Sequence, residues 1–137
     1  MQLNSAKDLD VYKKAYEVAM TIFQVSKTFP DEERFALTGQ IRRSSRSVCL
    51  NLREAWSKRR YVSKLTDRDG ENSETDSSLD FARDCKYITI ECHAELTALC
   101  RQIGKMLGTM IKNPGPFLTG CVLISNCFMS GLPISDF

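Results

Sequence analysis

The sequence predicts a small all-α protein, folded as a four-helix bundle. Four segments carry apolar residues at the three-and-four spacing of one helical face. Only four prolines and seven glycines occur in 137 residues, so long stretches are free of helix breakers. The length suits one domain, and 42% apolar with 26% charged residues is ordinary for a globular fold.

Helix 1 is predicted from about Leu9 to Lys27. Its apolar face is formed by Val11, Tyr12, Ala15, Ala19, Ile22 and Phe23. Phe29-Pro30 follows, and the residue before a proline avoids helical dihedral angles. The first helix therefore ends before this pair.

Helix 2 is predicted to open after Pro30, because the acidic residues 31–33 would favour the positive end of a helix dipole. Its apolar stripe comprises Leu37, Ile41, Val48, Leu52 and Trp56. Ser44 and Ser45 supply the intervening turn, and such small side chains let a neighbouring helix approach closely. The helix is predicted to reach about Arg60, and the pattern leaves open a break near Asn51.

Helix 3 has two interpretations, because Thr66–Ser78 is polar throughout and contains Gly70. The segment is either a long loop or a helix whose charges face solvent or a partner. A structureless loop of this length is uncommon in a compact domain. We therefore predict a helix, although a glycine inside it costs about 1 kcal/mol relative to alanine.

Helix 4 is predicted from about Ile90 to Lys112, with Thr89 as the N-cap and Glu91 in the first turn. Its apolar seam has heptad-like spacing. The seam consists of Leu96, Leu99, Cys100, Ile103, Leu107 and Met110.

We expect the bundle to occupy residues 1–113 and to be followed by an apolar tail, residues 114–137. The tail carries no charge until Asp136 and is interrupted by Gly120, Ser125 and Asn126. It is too short and too broken to span a bilayer, so no membrane partner is expected. Three alternatives stay open: it packs back onto the bundle, covers a subunit contact, or is poorly ordered.

The six cysteines are interpreted as small, buried, reduced side chains. Met1–Asp10 lacks the apolar core of a signal peptide, so a cytoplasmic protein with reduced thiols is expected. A metal site at Cys85, Cys92 and His93 is disfavoured, because zinc requires four ligands in tighter clusters. We therefore expect no bound metal.

No catalytic constellation is visible in the sequence. His93 is the single histidine, whereas a hydrolase triad needs one held between a nucleophile and an acid. Glycine-rich phosphate loops and helical His-Glu metal motifs are missing. We expect a protein that is not an enzyme and uses no cofactor.

Charge is strongly polarised along the chain. Residues 42–60 contain seven basic residues and one acidic residue, a net charge of +6, and residues 67–84 contain seven acidic and two basic residues, a net charge of −5. The basic residues are Arg42, Arg43, Arg46, Arg53, Lys58, Arg59 and Arg60. At about 100° per residue, Arg42, Arg46, Arg53 and Arg60 fall within roughly 40° of one another, and they would form one basic ridge if the helix is unbroken.

Two interpretations of this basic segment compete. As a nucleic-acid interface, its arginines would bind phosphates of RNA or single-stranded DNA, and Trp56 and Tyr61 would stack on unpaired bases. Alternatively, the arginines pair with the acidic stretch of helix 3, within one chain or across a subunit contact. The nearly equal and opposite charges favour the second interpretation, and both hold if only part of the ridge is paired.

Several segments resemble the four-helix-bundle family first met in ribosomal-RNA intervening sequences. The resemblance covers about residues 8–114 and is most specific over 29–44, which read FPDEERFALTGQIRRS. Other matches are Ser47, Asn51 and Glu54 in helix 2, residues 63–67, 71–75, 79 and 81–82 in helix 3, and residues 104–107 and 110–114 at the end of helix 4. The resemblance implies an antiparallel up-and-down bundle that assembles into a ring, typically a pentamer. Family members include a retroelement accessory protein that binds nucleic acid and a reverse transcriptase through a basic surface, and the implied basic positions are Arg42 and Arg43.

Overall fold

The computed structural model describes residues 6–57 and 61–112. Within them lie four α-helices and no strand: α1 (Asp10–Ser26), α2 (Leu37–Ser57), α3 (Tyr61–Asp84) and α4 (Ile90–Lys112). Short 3-10 turns at Ala6–Asp8 and Asp31–Glu33 precede α1 and α2. The all-α prediction is confirmed.

Each helix packs on the next, and α4 packs back on α1, so the four enclose one apolar core. The predicted apolar stripes form this core. Its most deeply buried large side chains are Ile22, Ile41, Leu52, Leu79, Leu96, Ile103 and Leu107. Among the described helices, none combines the length and hydropathy that crossing a bilayer requires. The predicted tail, with the rest of 113–137, lies outside the described residues.

The predicted start of helix 2 is wrong. Asp31–Glu33 forms a separate 3-10 turn, and α2 begins at Leu37. The Glu33 carboxylate still stabilises the positive N-terminal end of α2, although it lies outside the helix. Its Oε2 accepts a hydrogen bond from the Leu37 backbone N–H at 3.2 Å. The helix runs through Asn51 without interruption to Ser57, and the predicted extension to Arg60 falls in the undescribed residues 58–60.

The predictions for helices 3 and 4 are confirmed. Thr66–Ser78 is helical throughout α3, including Gly70. Helix α4 spans Ile90–Lys112, and Thr89 caps it: Thr89 Oγ1 accepts the Cys92 backbone N–H at 3.0 Å.

The contact between α2 and α3 includes small polar side chains. Ser44 and Thr75 are almost fully buried, and Thr75 Oγ1 donates to Ser44 Oγ at 2.8 Å. Ser44 Oγ in turn donates to the Ile41 carbonyl at 3.4 Å. Between α3 and α4, Asn72 Nδ2 donates to the Cys100 carbonyl at 2.8 Å. These buried hydrogen bonds offset the cost of placing polar groups in the core.

One cation is buried with little compensation. Arg68 of α3 is only 6% exposed, and its Nη2 lies 3.8 Å from Asp67 Oδ2. Its Nε and Nη1 have no hydrogen-bond partner among the described residues. Desolvation lowers the pKa of Arg68, and this outweighs the opposing effect of nearby Asp67 and Glu71.

Leu79 and Phe81 offer a matched test of this core, because they lie two residues apart on α3 with opposite exposure. Leu79 is fully buried and Phe81 is 65% exposed. Leu79→Ala should lower the free energy of unfolding by about 2–5 kcal/mol, because it removes buried apolar surface and leaves a cavity. Phe81→Ala should change it by less than about 0.5 kcal/mol. Urea unfolding followed by circular dichroism measures both, and equal effects of the two changes would contradict the packing of α3.

Arg68→Met should raise the free energy of unfolding by about 1 kcal/mol, because an apolar side chain of similar length removes a poorly compensated buried charge. Thermal unfolding of both proteins measures the change, with Lys105→Met at an exposed position of α4 as the control. A decrease in stability larger than that of the control would mean that the two guanidinium donors have an acceptor.

Candidate nucleic-acid interface

Four of the seven predicted basic site residues lie on the described part of α2. Arg42, Arg46 and Arg53 share one face of the helix, as predicted, whereas Arg43 is turned by about 100° from Arg42. Lys58, Arg59 and Arg60 lie outside the described residues. So do the side chains of Trp56 and Tyr61, for which the sequence predicts stacking on bases.

Arg43 pairs with α3 within the chain. Its Nη1 lies 3.3 Å from Glu71 Oε2, and its Nη2 lies 2.6 Å from Glu74 Oε1. The hydrogen bond to Glu74 is the main cause of a raised pKa for Arg43. The second interpretation of the basic segment is thus realised at this arginine.

Arg42 and Arg46 turn toward α1 instead. Their guanidinium carbons lie 5.1 and 5.7 Å from the centroid of the Phe23 ring, and Lys27 Nζ lies 4.7 Å from the same centroid. Each contact is within the range of a cation–π interaction. We call Phe23, Lys27, Arg42 and Arg46 the cation cluster.

The cation cluster lacks a neutralising carboxylate among the described residues. Arg42 Nε donates to Ser26 Oγ at 2.7 Å, which orients the guanidinium without balancing its charge. Within 6–57 and 61–112, neither Arg42, Arg46 nor Lys27 forms an ion pair with an acid. Three positive charges around one ring lie within about a Debye length of each other, so they act together on an approaching anion.

The cation cluster continues into a strip along both helices. Tyr12, Tyr16 and Met20 share the stripe of α1 that carries Phe23 and Lys27, and Leu50 and Arg53 continue the stripe of α2. At the far end Tyr12 is close enough to Cys49 and Arg53 for both to act on its ionisation. Burial and then Cys49 raise the pKa of Tyr12, and Arg53 opposes them. We call these nine residues the α1–α2 strip: Tyr12, Tyr16, Met20, Phe23, Lys27, Arg42, Arg46, Leu50 and Arg53.

Sequence reasoning missed the contribution of α1. Phe23 and Tyr12 are assigned by their spacing to the apolar face of helix 1, yet both are only half-buried and lie at the edge of that face. The four-residue spacing of Phe23 and Lys27 was the available signal, since it places a cation over an aromatic ring on one helix. Nothing in the sequence indicated that Arg42 and Arg46 would meet the same ring.

A groove with a small negative charge lies between α3 and α4. Its lining includes two acids, Asp69 and Asp76, one base, Arg101, and the buried Asn72. The α1–α2 strip and this groove are therefore opposite in net charge.

Cys85, Cys92 and His93, the residues considered for metal binding, are not grouped as metal ligands. His93 Nε2 lies 2.7 Å from Asp80 Oδ1, with Arg83 Nη1 at 3.4 Å. Cys85 is exposed and Cys92 half-buried, whereas burial raises the pKa of Cys49 and of Cys100 to about 12. Within the described residues, no three His, Cys, Asp or Glu side chains are grouped to hold a metal ion.

A family model described as 23S rRNA-intervening sequence protein matches residues 7–109. The chain belongs to this family. The resemblance seen at the helix 1–helix 2 junction is thereby confirmed. No curated protein matches the chain.

A solved structure supports the fold of this 23S rRNA-intervening sequence family member. It is the 1.70 Å crystal structure of a protein of unknown function from the S23 ribosomal protein family of Bacteroides thetaiotaomicron. The two are 31% identical, the match covers 75% of this chain and 96% of the other, and the TM-score is 0.67.

A double-mutant cycle tests the pairing of Arg43 in this family member. Arg43→Ala and Glu74→Ala, alone and combined, should give a coupling energy of about 0.2–1 kcal/mol, because both side chains are largely solvated. The coupling, measured by urea unfolding, should weaken as salt is added. A coupling near zero at low salt would show that the pair does not persist in solution.

Proposed function

We propose that this protein is a non-enzymatic, homo-oligomeric helical bundle that binds the phosphate backbone of RNA or single-stranded DNA through the α1–α2 strip. The observation that carries the proposal is the cation cluster, in which Lys27, Arg42 and Arg46 share one ring without a described carboxylate. Guanidinium groups match phosphate oxygens in geometry, and neutralising each phosphate releases counterions.

The division of the described α2 arginines into one that pairs with carboxylates and three that do not also supports the proposal. Had helix 3 neutralised the entire ridge, no basic surface would remain for a ligand. Among the described arginines of α2, Arg43 alone pairs with carboxylates, so the ridge of Arg42, Arg46 and Arg53 keeps its charge. The family resemblance includes an accessory protein that binds nucleic acid through a basic surface, and the basic surface of this chain lies between α1 and α2.

We propose an antiparallel up-and-down arrangement of the helices. Two observations support it: Phe23 near the end of α1 contacts Arg42 near the start of α2, and the charge of Arg53 near the end of α2 acts on Tyr12 near the start of α1. The connection from α3 to α4 supports it too. It has only five residues, whereas α3 is about 35 Å long, so the chain is too short there to return along α3 before α4 begins.

The oligomer is proposed from the family, whose members typically form pentameric rings. A ring would repeat the α1–α2 strip around its axis and so multiply weak phosphate contacts on one polyanion. Catalysis forms no part of the proposal, because a phosphate-binding surface needs charge and shape but no nucleophile or base. We place the protein in the cytoplasm, where both nucleic acid and reduced thiols are found.

A second candidate function is a purely structural or protein-interaction oligomer. The observation that favours it is the acidic α3–α4 groove, which complements the α1–α2 strip in charge. A strip of one copy docked in the groove of the next would make a head-to-tail contact, and such contacts build rings or filaments.

The triple change Arg42→Glu, Arg46→Glu and Arg53→Glu should abolish salt-dependent binding of a single-stranded oligonucleotide. The slope of log affinity against log salt should become shallower by about 0.7 for each phosphate that the variant no longer neutralises. Filter-binding titration at several salt concentrations measures the effect. The matched control changes Arg34, Arg101 and Lys105 to Glu, which alters the net charge equally at exposed positions outside the strip.

Light scattering on the same triple variant separates the two candidates. Intact assembly without binding supports the nucleic-acid interface, whereas dissociation of the oligomer supports the structural role. An equal decrease of affinity in the variant and its control would mean that net charge alone drives binding. If the unaltered protein binds no oligonucleotide at any salt concentration, the proposed function is wrong.

A further inference from the structure

The middle of the α1–α2 strip is apolar and exposed. Tyr16 is 53% exposed, Met20 42% and Leu50 66%. Tyr16 is stacked on Tyr12, with ring centroids 6.3 Å apart and ring planes 19° from parallel. Exposed aromatic and aliphatic side chains collected on one surface usually mark a binding site.

Positive charge borders this apolar patch along α2. Arg46 precedes Leu50 by four residues and Arg53 follows it by three, so the two arginines are about 10 Å apart along the helix axis. On α1, Tyr16 lies between Tyr12, on which the charge of Arg53 acts, and Phe23, whose ring contacts Arg46. Tyr16 therefore lies along α1 between the positions of these two arginines, as Leu50 does along α2.

The acids of α1 are turned away from the patch. Asp10 and Glu17 lie more than about 50° outside the stripe that carries the tyrosines. On α2, Glu54 lies one turn after Leu50, about 40° further around the helix, and its charge acts on the guanidinium of Arg68 of α3. The described part of the strip thus alternates aromatic surface with unneutralised cations.

We infer that the Tyr12–Tyr16 pair is a base-stacking platform, and that the strip takes single-stranded nucleic acid in preference to a duplex. This inference rests on the proposed function and names the form of its ligand. A single strand offers unpaired bases and phosphates in alternation, which is the pattern that the strip complements. In a duplex the faces of the bases are already stacked on one another, and only the phosphates are available to the arginines.

Charge argues against a second copy of the chain on this patch. A symmetric contact between two strips would bring Arg46 and Arg53 of both copies together without a carboxylate from the strip. A head-to-tail contact with the acidic α3–α4 groove avoids this repulsion, and it is therefore an outcome that the experiment must distinguish.

The experiment compares three ligands of equal length by fluorescence anisotropy at fixed salt: oligodeoxythymidine, an abasic strand with the same phosphates, and a duplex. Oligodeoxythymidine should bind at least about five-fold more tightly than the abasic strand, since stacking of one base on an aromatic ring contributes this much or more. Tyr16→Leu should remove most of this difference, because it weakens binding of oligodeoxythymidine far more than binding of the abasic strand. Tyr16→Phe should retain it, because the ring remains.

Phe81→Leu is the matched control, because Phe81 is similarly exposed but lies on α3. It should leave all three affinities unchanged. If abasic and base-bearing strands bind equally, or if Tyr16→Leu has no effect, the stacking platform is wrong while the phosphate interface stands. If no ligand binds in a salt-dependent manner, the proposed function fails and the platform fails with it. A change in particle mass for Tyr16→Leu by light scattering would show that another copy covers the tyrosine, which also overturns the inference.

Discussion

The rotation of α2 about its own axis governs the arrangement of charge on this protein. Ser44 and Ser45 are buried, and the hydroxyl of Ser44 accepts a hydrogen bond from Thr75 of α3. Rotating α2 would expose the packing surface of these small residues and break the hydrogen bond between the two hydroxyls, a net contribution of about 0.5–1.5 kcal/mol. The helix is thereby held with one flank toward α3 and the other toward α1.

Neighbouring arginines have opposite environments as a result. Arg43 lies on the α3 flank and finds Glu71 and Glu74, whereas Arg42, one residue earlier, lies on the α1 flank and finds Phe23 and Ser26. The described arginines of the basic segment are therefore divided between an ion pair within the chain, at Arg43, and positions without a described carboxylate. The pairing interpretation holds at Arg43, and the division is made by the geometry of packing.

The cation cluster is unfavourable by charge and is held together by an aromatic ring. Cation–π contacts at exposed positions contribute only about 0.5–1 kcal/mol each, and like charges around one ring repel one another. Acids are plentiful on α3, yet within the described residues none neutralises Lys27, Arg42 or Arg46. A surface built in this way gains stability when a polyanion binds, which is the physical basis of the proposed function.

The sequence by itself determined the class of fold, the number of helices and most of their ends, because apolar periodicity and capping act within a few residues of each other. Thr89 marked the start of α4, and even the polar stretch of α3 was recognised as helical. The start of α2 could not be predicted from the acidic residues, because Glu33 accepts the first N–H of that helix from a separate 3-10 turn. Only the tertiary structure decided which of the described arginines of α2 pair with carboxylates and which do not. Periodicity places a residue on a face of its own helix, but the neighbour that this face meets depends on contacts between residues far apart in the chain, as Phe23 with Arg42 illustrates.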